Sequence, residues 1–228
     1  VGEAMNRRVA LPLLASPFLR AAGPVHLIAH RGGVVGEGRA ENSPEALEAA
    51  IAAKYWMVEV DIRVGPGGAP ILRHDRGPAA GEPFPFDRAC GICAGRMRLM
   101  LDIKEDGPPE FYASILDSLR RHSSLDSAWL LSGERSRPHF EGKIRTSVNS
   151  KELGGAAAER HYLFELASAI DEPLIARVRE KKLIAVAAVN TFRYRGAAAD
   201  APARDIARLR ALGVTHFQID SVYANEFV

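Results

Sequence analysis

The run VEVDIRVGPGGAPILRHD, Val58 to Asp75, alternates apolar and charged residues through its first half, breaks on glycine and proline at its centre, and ends on a His-Asp pair. Alternation with a period of two marks a strand whose faces meet different surroundings. It puts Glu59 and Asp61 on one face, where carboxylates at i and i+2 can grip a single hard cation. The glycines and prolines from Gly65 to Pro70 disfavour a helix, so the link between Asp61 and Ile71 is expected to be an extended run. An earlier apolar run, Val25 to Ala29, likewise leads into His30-Arg31. Two histidines can take up and release a proton near neutrality, since an unperturbed imidazole titrates at about 6.5. A cation site with an acid/base pair beside it points to cleavage of a phosphodiester.

Outward from that run, short apolar, β-branched or alternating segments predict eight strands: Val25 to Ala29, Met57 to Ile62, Pro70 to Arg73, Arg98 to Ile103, Ala128 to Ser132, Lys143 to Val148, Leu183 to Val189 and Thr215 to Asp220. Helical stretches lie between most of them, which is the pattern of a parallel βα barrel. Ser43-Pro44 opens the first helix as N-cap and first helical residue, with Leu47, Ala50 and Ile51 on one face. Further helices are predicted over Pro109 to Arg121, Glu152 to Ser168, Pro173 to Lys182 and Ala201 to Leu212. No internal repeat or second-domain boundary is visible. Residues 24–228 read as one barrel domain, preceded by an N-terminal segment over 1–23.

Five pieces in order carry a resemblance. AHRGG at Ala29 to Gly33, Glu41-Asn42 with SPEAL behind it, Glu59 with Asp61, the Gly67-Gly68 turn and His74-Asp75 resemble the HRG, PENT, E-x-D, DG-turn and HD pieces of the glycerophosphodiester phosphodiesterase family. LDIK at Leu101 to Lys104 resembles that family's LEIK strand, VAAVN ending at Asn190 its WTVN strand, and FQIDS around Asp220 its final ITD strand. The resemblance implies a TIM-type (β/α)8 barrel with one non-helical crossover, of the phospholipase C-like phosphodiesterase superfamily, with its site at the C-terminal ends of the strands.

It also implies roles. His30 and His74 would be the acid/base pair, with the choice between acid and base left open. Arg31 would clamp a non-bridging phosphate oxygen with its planar fork, and Lys104 would add a second positive charge. Glu59, Asp61 and Asp102 would hold a divalent cation, Mg²⁺ or Ca²⁺ rather than zinc, because every ligand is oxygen. Glu41 and Asn42 would orient His30 or the metal, or else merely shape the loop before Ser43; Asp75 would orient a neighbouring group. The substrate is then a small-molecule phosphodiester, hydrolysed to a phosphomonoester such as glycerol phosphate and an alcohol. Attack by water and attack by a neighbouring substrate hydroxyl, giving a cyclic phosphate, both remain open.

The chain departs from the family pattern in three places. Only RGPAAGEPF separates Asp75 from Pro85, so the insertion that covers the glycerol end in many relatives is missing. Asp102 stands where the family has Glu, one methylene short. Ala187 and Ala188 stand where it has Trp and Thr, which suggests a hollowed wall and a shallow, permissive pocket. Asp102 and the missing Trp keep alive the alternative of a barrel without turnover that binds phosphorylated ligands.

Composition is that of one ordinary soluble domain: 228 residues, 47% hydrophobic, 25% charged, net charge +2. No basic stripe interleaved with aromatics is present, so no nucleic-acid partner is expected. No apolar run is long enough for a membrane span, and the oligomeric state stays open. Arg7-Arg8 followed by VALPLLASPFL has the outline of a signal peptide, interrupted by Pro12, Ser16 and Pro17. The alternative is a segment packing on the barrel beside the final strand, where the eight residues after Asp220 are too few for a full last helix. Cys90 and Cys93 form a C-x-x-C, but one pair cannot complete a four-ligand zinc site. Core packing on the inner face of a helix or a redox role remains, and the thiols favour the cytoplasm over a secreted or periplasmic setting.

Overall fold

The structure is a computed structural model, described over residues 23–36, 38–76, 82–131, 133 and 135–227. Residues 1–22, which include almost all of the expected N-terminal segment, and 77–81, in the short loop after Asp75, lie outside the described residues.

Ten strands join in one sheet. Eight of them run parallel and close on themselves: β1 (His26–Ala29), β2 (Met57–Val64), β5 (Arg98–Ile103), β6 (Trp129–Leu131), β7 (Arg145–Val148), β8 (His161–Leu166), β9 (Ala185–Val189) and β10 (His216–Ile219). Closure is made by β1, which pairs with β10 through Ala29 and Ile219 and with β2 through Ala29 and Val58. The remaining two, β3 (Pro70–Leu72) and β4 (Phe84–Pro85), form an antiparallel ribbon on the far end of β2. Around the barrel lie α1 (Pro44–Ala52), α2 (Phe86–Cys93), α3 (Pro109–Arg121), the short α4 (Arg137–Phe140), α5 (Glu172–Glu180) and α6 (Ala201–Ala211). The fold is the expected TIM-type barrel.

One strand assignment and one helix assignment need correction. Pro70 to Arg73 is not a barrel strand: the link from Asp61 is non-helical as expected, but Gly67 at φ 65° turns it back antiparallel to β2. The crossing to β5 is completed by α2. Conversely, Glu152 to Ser168 is not a helix. It holds a 3-10 turn, Glu152–Gly155, then β8, and ends in a second 3-10 turn, Ala167–Ala169. The alanines before it favour a helix locally, but HYLFEL is buried on alternate sides by its neighbours, and that non-local pairing decides its state. The crossover from β7 to β8 therefore has no α-helix.

Alternation along the strands sorts the core into two layers. Val58, Val60 and Ile62 of β2, with Leu99 and Leu101 of β5, point outward to the helices. Burial of such side chains contributes about 1.5–3 kcal/mol each. Ile28, Met57, Met100, Tyr162 and Val186 fill the barrel interior, and the Tyr162 hydroxyl donates to the Leu130 carbonyl at 2.9 Å. Cys90 and Cys93 are fully buried in the outer layer, as core packing requires. Burial pushes both thiols up, Cys93 to about 12, so they stay protonated at neutral pH. Ala187 belongs to this outer layer too. It faces the helices, so the absence of Trp there hollows no substrate wall, contrary to the expectation from sequence; the interior positions of β9 are Val186, Ala188 and Asn190.

Candidate active site

The parallel register lifts a set of polar residues to one end of the barrel. Ala29, Ile219 and Val189 are cross-strand partners, so His30, Asp220 and Asn190 follow them in one layer. Asp61 and Asp102 are direct partners, and Glu59 sits two residues deeper on the same face of β2. All of these side chains stand at or near C-terminal strand ends, where this architecture places its chemistry.

The HRGG segment is shaped by close backbone approach. Arg31 and Asn42 both hold positive φ, 54° and 53°, and the Asn42 N–H donates to the Arg31 carbonyl at 2.8 Å. A Cβ on Gly32 would lie 2.5 Å from Asn42 Cα, and one on Gly33 would lie 2.1 Å from the Ala46 carbonyl oxygen. Only glycine lets this loop pass so near the start of α1. The gain is alignment: the Arg31 N–H donates to Glu59 Oε2 at 2.8 Å, and Asn42 clasps Asp61 through Nδ2 to Oδ2 at 2.7 Å and the Asp61 N–H to Oδ1 at 3.0 Å.

Glu59, Asp61 and Asp102 offer one oxygen each within 4.8 Å of one another. Glu59 and Asp61 are wholly buried, and Glu59 Oε1 has no hydrogen-bond partner. Burial, with repulsion from Asp61 and Asp102 behind it, lifts Glu59 well above the ordinary carboxylate range. Burial also raises Asp102, against the pull of Lys104. Lys104 Nζ lies 2.7 Å from Asp61 Oδ1 and 2.5 Å from Asp102 Oδ2. Burial pulls this ammonium down, but the two carboxylates outweigh it and hold the pKa above its ordinary value. One ammonium against three carboxylates, two of them wholly buried, leaves the cluster short of positive charge, and a buried charge is costly unless compensated. An all-oxygen donor set with an orphaned buried oxygen fits a hard divalent cation.

The two histidines have parallel support. His30 Nδ1 is 2.5 Å from Asp220 Oδ1, and Asp220 is itself gripped by Thr191 through N–H and hydroxyl bonds of 2.6 and 2.7 Å. Burial pushes Asp220 up, but the bonds from His30 and Thr191 outweigh it and hold it below its ordinary value. His74 Nδ1 meets Asp75 Oδ1 at 2.7 Å, while its Nε2 faces Arg31 at 3.3 Å. Arg63 of β2 donates twice to the His74 carbonyl, at 2.8 and 2.6 Å, and so ties the ribbon end to the barrel. Arg31 also pairs with Glu41 at 2.8 Å. Glu41 is thus paired with Arg31, and lies with His74 and Asp75 in a second group that could hold an ion, whereas Asn42 is bonded to Asp61, a candidate cation ligand. Lys104, expected at the phosphate, is held among the carboxylates.

The sequence reading placed Asp220 on a family-like strand without a role, and Thr191 and Arg63 carried no signal. The only clue to Asp220 was its position one residue past a strand end, the same as that of His30.

No protein-family model and no curated protein sequence matches the chain. Solved structures do match over nearly all of it. A glycerophosphodiester phosphodiesterase from Agrobacterium tumefaciens is 16% identical with a TM-score of 0.68, covering 89% of this chain and 99% of the other. One from Parabacteroides distasonis is 16% identical with a TM-score of 0.64, covering 90% and 96%. An Oleispira antarctica phosphodiesterase in complex with the product sn-glycerol-3-phosphate is 18% identical with a TM-score of 0.66, covering 89% and 94%. Their shared architecture identifies the fold of this chain as that of the glycerophosphodiester phosphodiesterase barrels.

Proposed function

We propose that this protein is a phosphoric diester hydrolase that cleaves a glycerophosphodiester, or a related alcohol phosphodiester, to a phosphomonoester and an alcohol. The observation that carries the reading is the meeting, at one barrel end, of two carboxylate-backed histidines with the Glu59, Asp61 and Asp102 cluster. The fold of known phosphodiesterases supports it. A Mg²⁺ or Ca²⁺ ion held by those three carboxylates would supply Lewis acidity and a fixed point for the phosphate.

The chain's own residues account for the rest. Hydrolysis forms one P–O bond and breaks another. The attacking oxygen loses a proton and the leaving alkoxide gains one; His30 and His74 exchange these protons at Nε2, since a carboxylate holds Nδ1 of each, and Arg31 turns from His74 Nε2 to the phosphate for His74 to do so. Asp220 and Asp75 stabilise the imidazolium form of their partners, as the third member of a catalytic triad does. Arg31, held by Glu41, compensates charge on a non-bridging oxygen.

A release assay with glycerophosphocholine, glycerophosphoethanolamine and a chromogenic phosphodiester, run with and without chelator, tests the proposal. Turnover that falls with chelation and returns with Mg²⁺ or Ca²⁺ is expected. Binding of these esters without release of alcohol would instead favour a barrel that only binds phosphorylated ligands. Among the described residues no helix is long and apolar enough to cross a membrane. The two buried free thiols favour a reducing compartment, and we place the protein in the cytoplasm.

A further inference from the structure

Among the described residues three large apolar side chains are exposed: Val35, Phe192 and Val222, at 39%, 36% and 66%. They belong to three different segments: the β1–α1 loop, the β9–α6 loop and the turn after β10. All three nevertheless line one open cleft of about 260 Å³, together with His30, Arg31 and Asp220. Two of the segments are tied by the Ser221 hydroxyl, which donates to the Val35 carbonyl at 3.2 Å. The Phe192 ring lies 6.2 Å from that of His30, so the apolar surface begins where the acid/base group ends. Arg195 adds an exposed cation to the same cleft, and its side chain has no ion pair or hydrogen bond among the described residues.

Apolar side chains scattered over a surface need no explanation, but a cluster of them beside charged groups marks a ligand site. A ligand that matches this cleft has an anionic phosphate at one end and an apolar chain at the other. We infer that the cleft receives the apolar chain of an amphiphilic phosphodiester, which makes monoacyl or monoalkyl phosphodiesters, rather than wholly polar ones, the preferred class of this site. The inference rests on the phosphate position assigned to Arg31 and His30 above.

The test uses hexyl-, octyl- and decylphosphocholine, each below its micelle concentration, titrated calorimetrically into the full chain, beside the glycerophosphocholine release assay. Affinity should rise about three- to fourfold for each methylene taken out of water, and level off once the chain overruns the cleft. Val35→Ser combined with Val222→Ser should flatten that slope, with Tm reporting that the variant is folded. A wild-type affinity independent of chain length, or a full slope retained in the double variant, overturns the inference even if glycerophosphocholine is hydrolysed. Chain-length-dependent binding that the double variant loses, in a protein that releases no alcohol from any ester, upholds the cleft and overturns the hydrolase reading alone.

Discussion

At His30 the proposed reaction depends on which ring nitrogen carries the proton, and Asp220 determines it. An ionised carboxylate accepts a hydrogen bond from Nδ1–H and leaves Nε2 free for the substrate; an amide in its place can stabilise the opposite tautomer. Asp220→Asn should therefore lower kcat by about 10²- to 10⁴-fold with KM little changed. His30→Ala and His74→Ala should fall in the same range, and the wild-type pH profile should be bell-shaped. Steady-state kinetics with a chromogenic phosphodiester would decide. Near-normal turnover in His74→Ala removes the two-histidine mechanism. At the carboxylates, Glu59→Ala or Asp61→Ala should abolish calorimetric binding of Mg²⁺ and Ca²⁺. Asp102→Glu should preserve or tighten it, because the longer side chain reaches farther into the cluster.

Among the elements, α1 and the loop before it show how closely local geometry is tied to the site. Gly33 at φ 134° faces the Ala46 carbonyl with no room for a methyl group, whereas Gly142 at φ 71° has open space around it. Gly33→Ala should cost about 2–5 kcal/mol from overpacking and backbone strain together. It should also lower turnover, because the displaced loop carries Arg31 away from Glu59. Gly142→Ala should cost only the left-handed backbone penalty, about 1–2 kcal/mol, and leave turnover intact. Urea unfolding of the two variants would compare them, and equal losses in stability and activity would refute the steric account. The helices were largely legible in sequence: α3 runs over Pro109–Arg121 as its periodicity predicts. β8 was not legible, since its alanine-rich approach resembles a helix until β7 and β9 are placed beside it.

Over the whole molecule, the barrel end opposite the site is plugged by aromatic rings. His26 and His216 lie 4.5 Å apart by ring centroid, Trp56 and Trp129 5.2 Å apart, and Arg98 and Arg145 lie over the two indoles at 4.8 and 5.3 Å. Burial, with repulsion from His26 and Arg145, pushes His216 down to about 4 from 6.5. The unfolded chain therefore binds a proton between these pH values that the native state does not, so stability falls as pH drops through the window. The loss amounts to about 3 kcal/mol at most. His216→Asn should flatten this part of the stability profile, as measured by urea unfolding at a series of pH values. An unchanged acid slope in the variant would assign the effect to other groups.

Sequence by itself determined the parts whose signal is short-ranged. The two-residue period of β2 put Glu59 and Asp61 on one face, Ser43-Pro44 marked the start of α1, and the ordered motif pieces indicated the barrel. Tertiary structure alone decided which segments close that barrel, because strand pairing joins residues far apart in sequence. The same non-local pairing set Ala187 outward, brought Asp220 to His30 across 190 residues, and drew Lys104 in among the carboxylates. It also gathered Val35, Phe192 and Val222 from three loops into one cleft. No local pattern links these residues; they meet only because a closed parallel sheet brings its strand ends together in one ring.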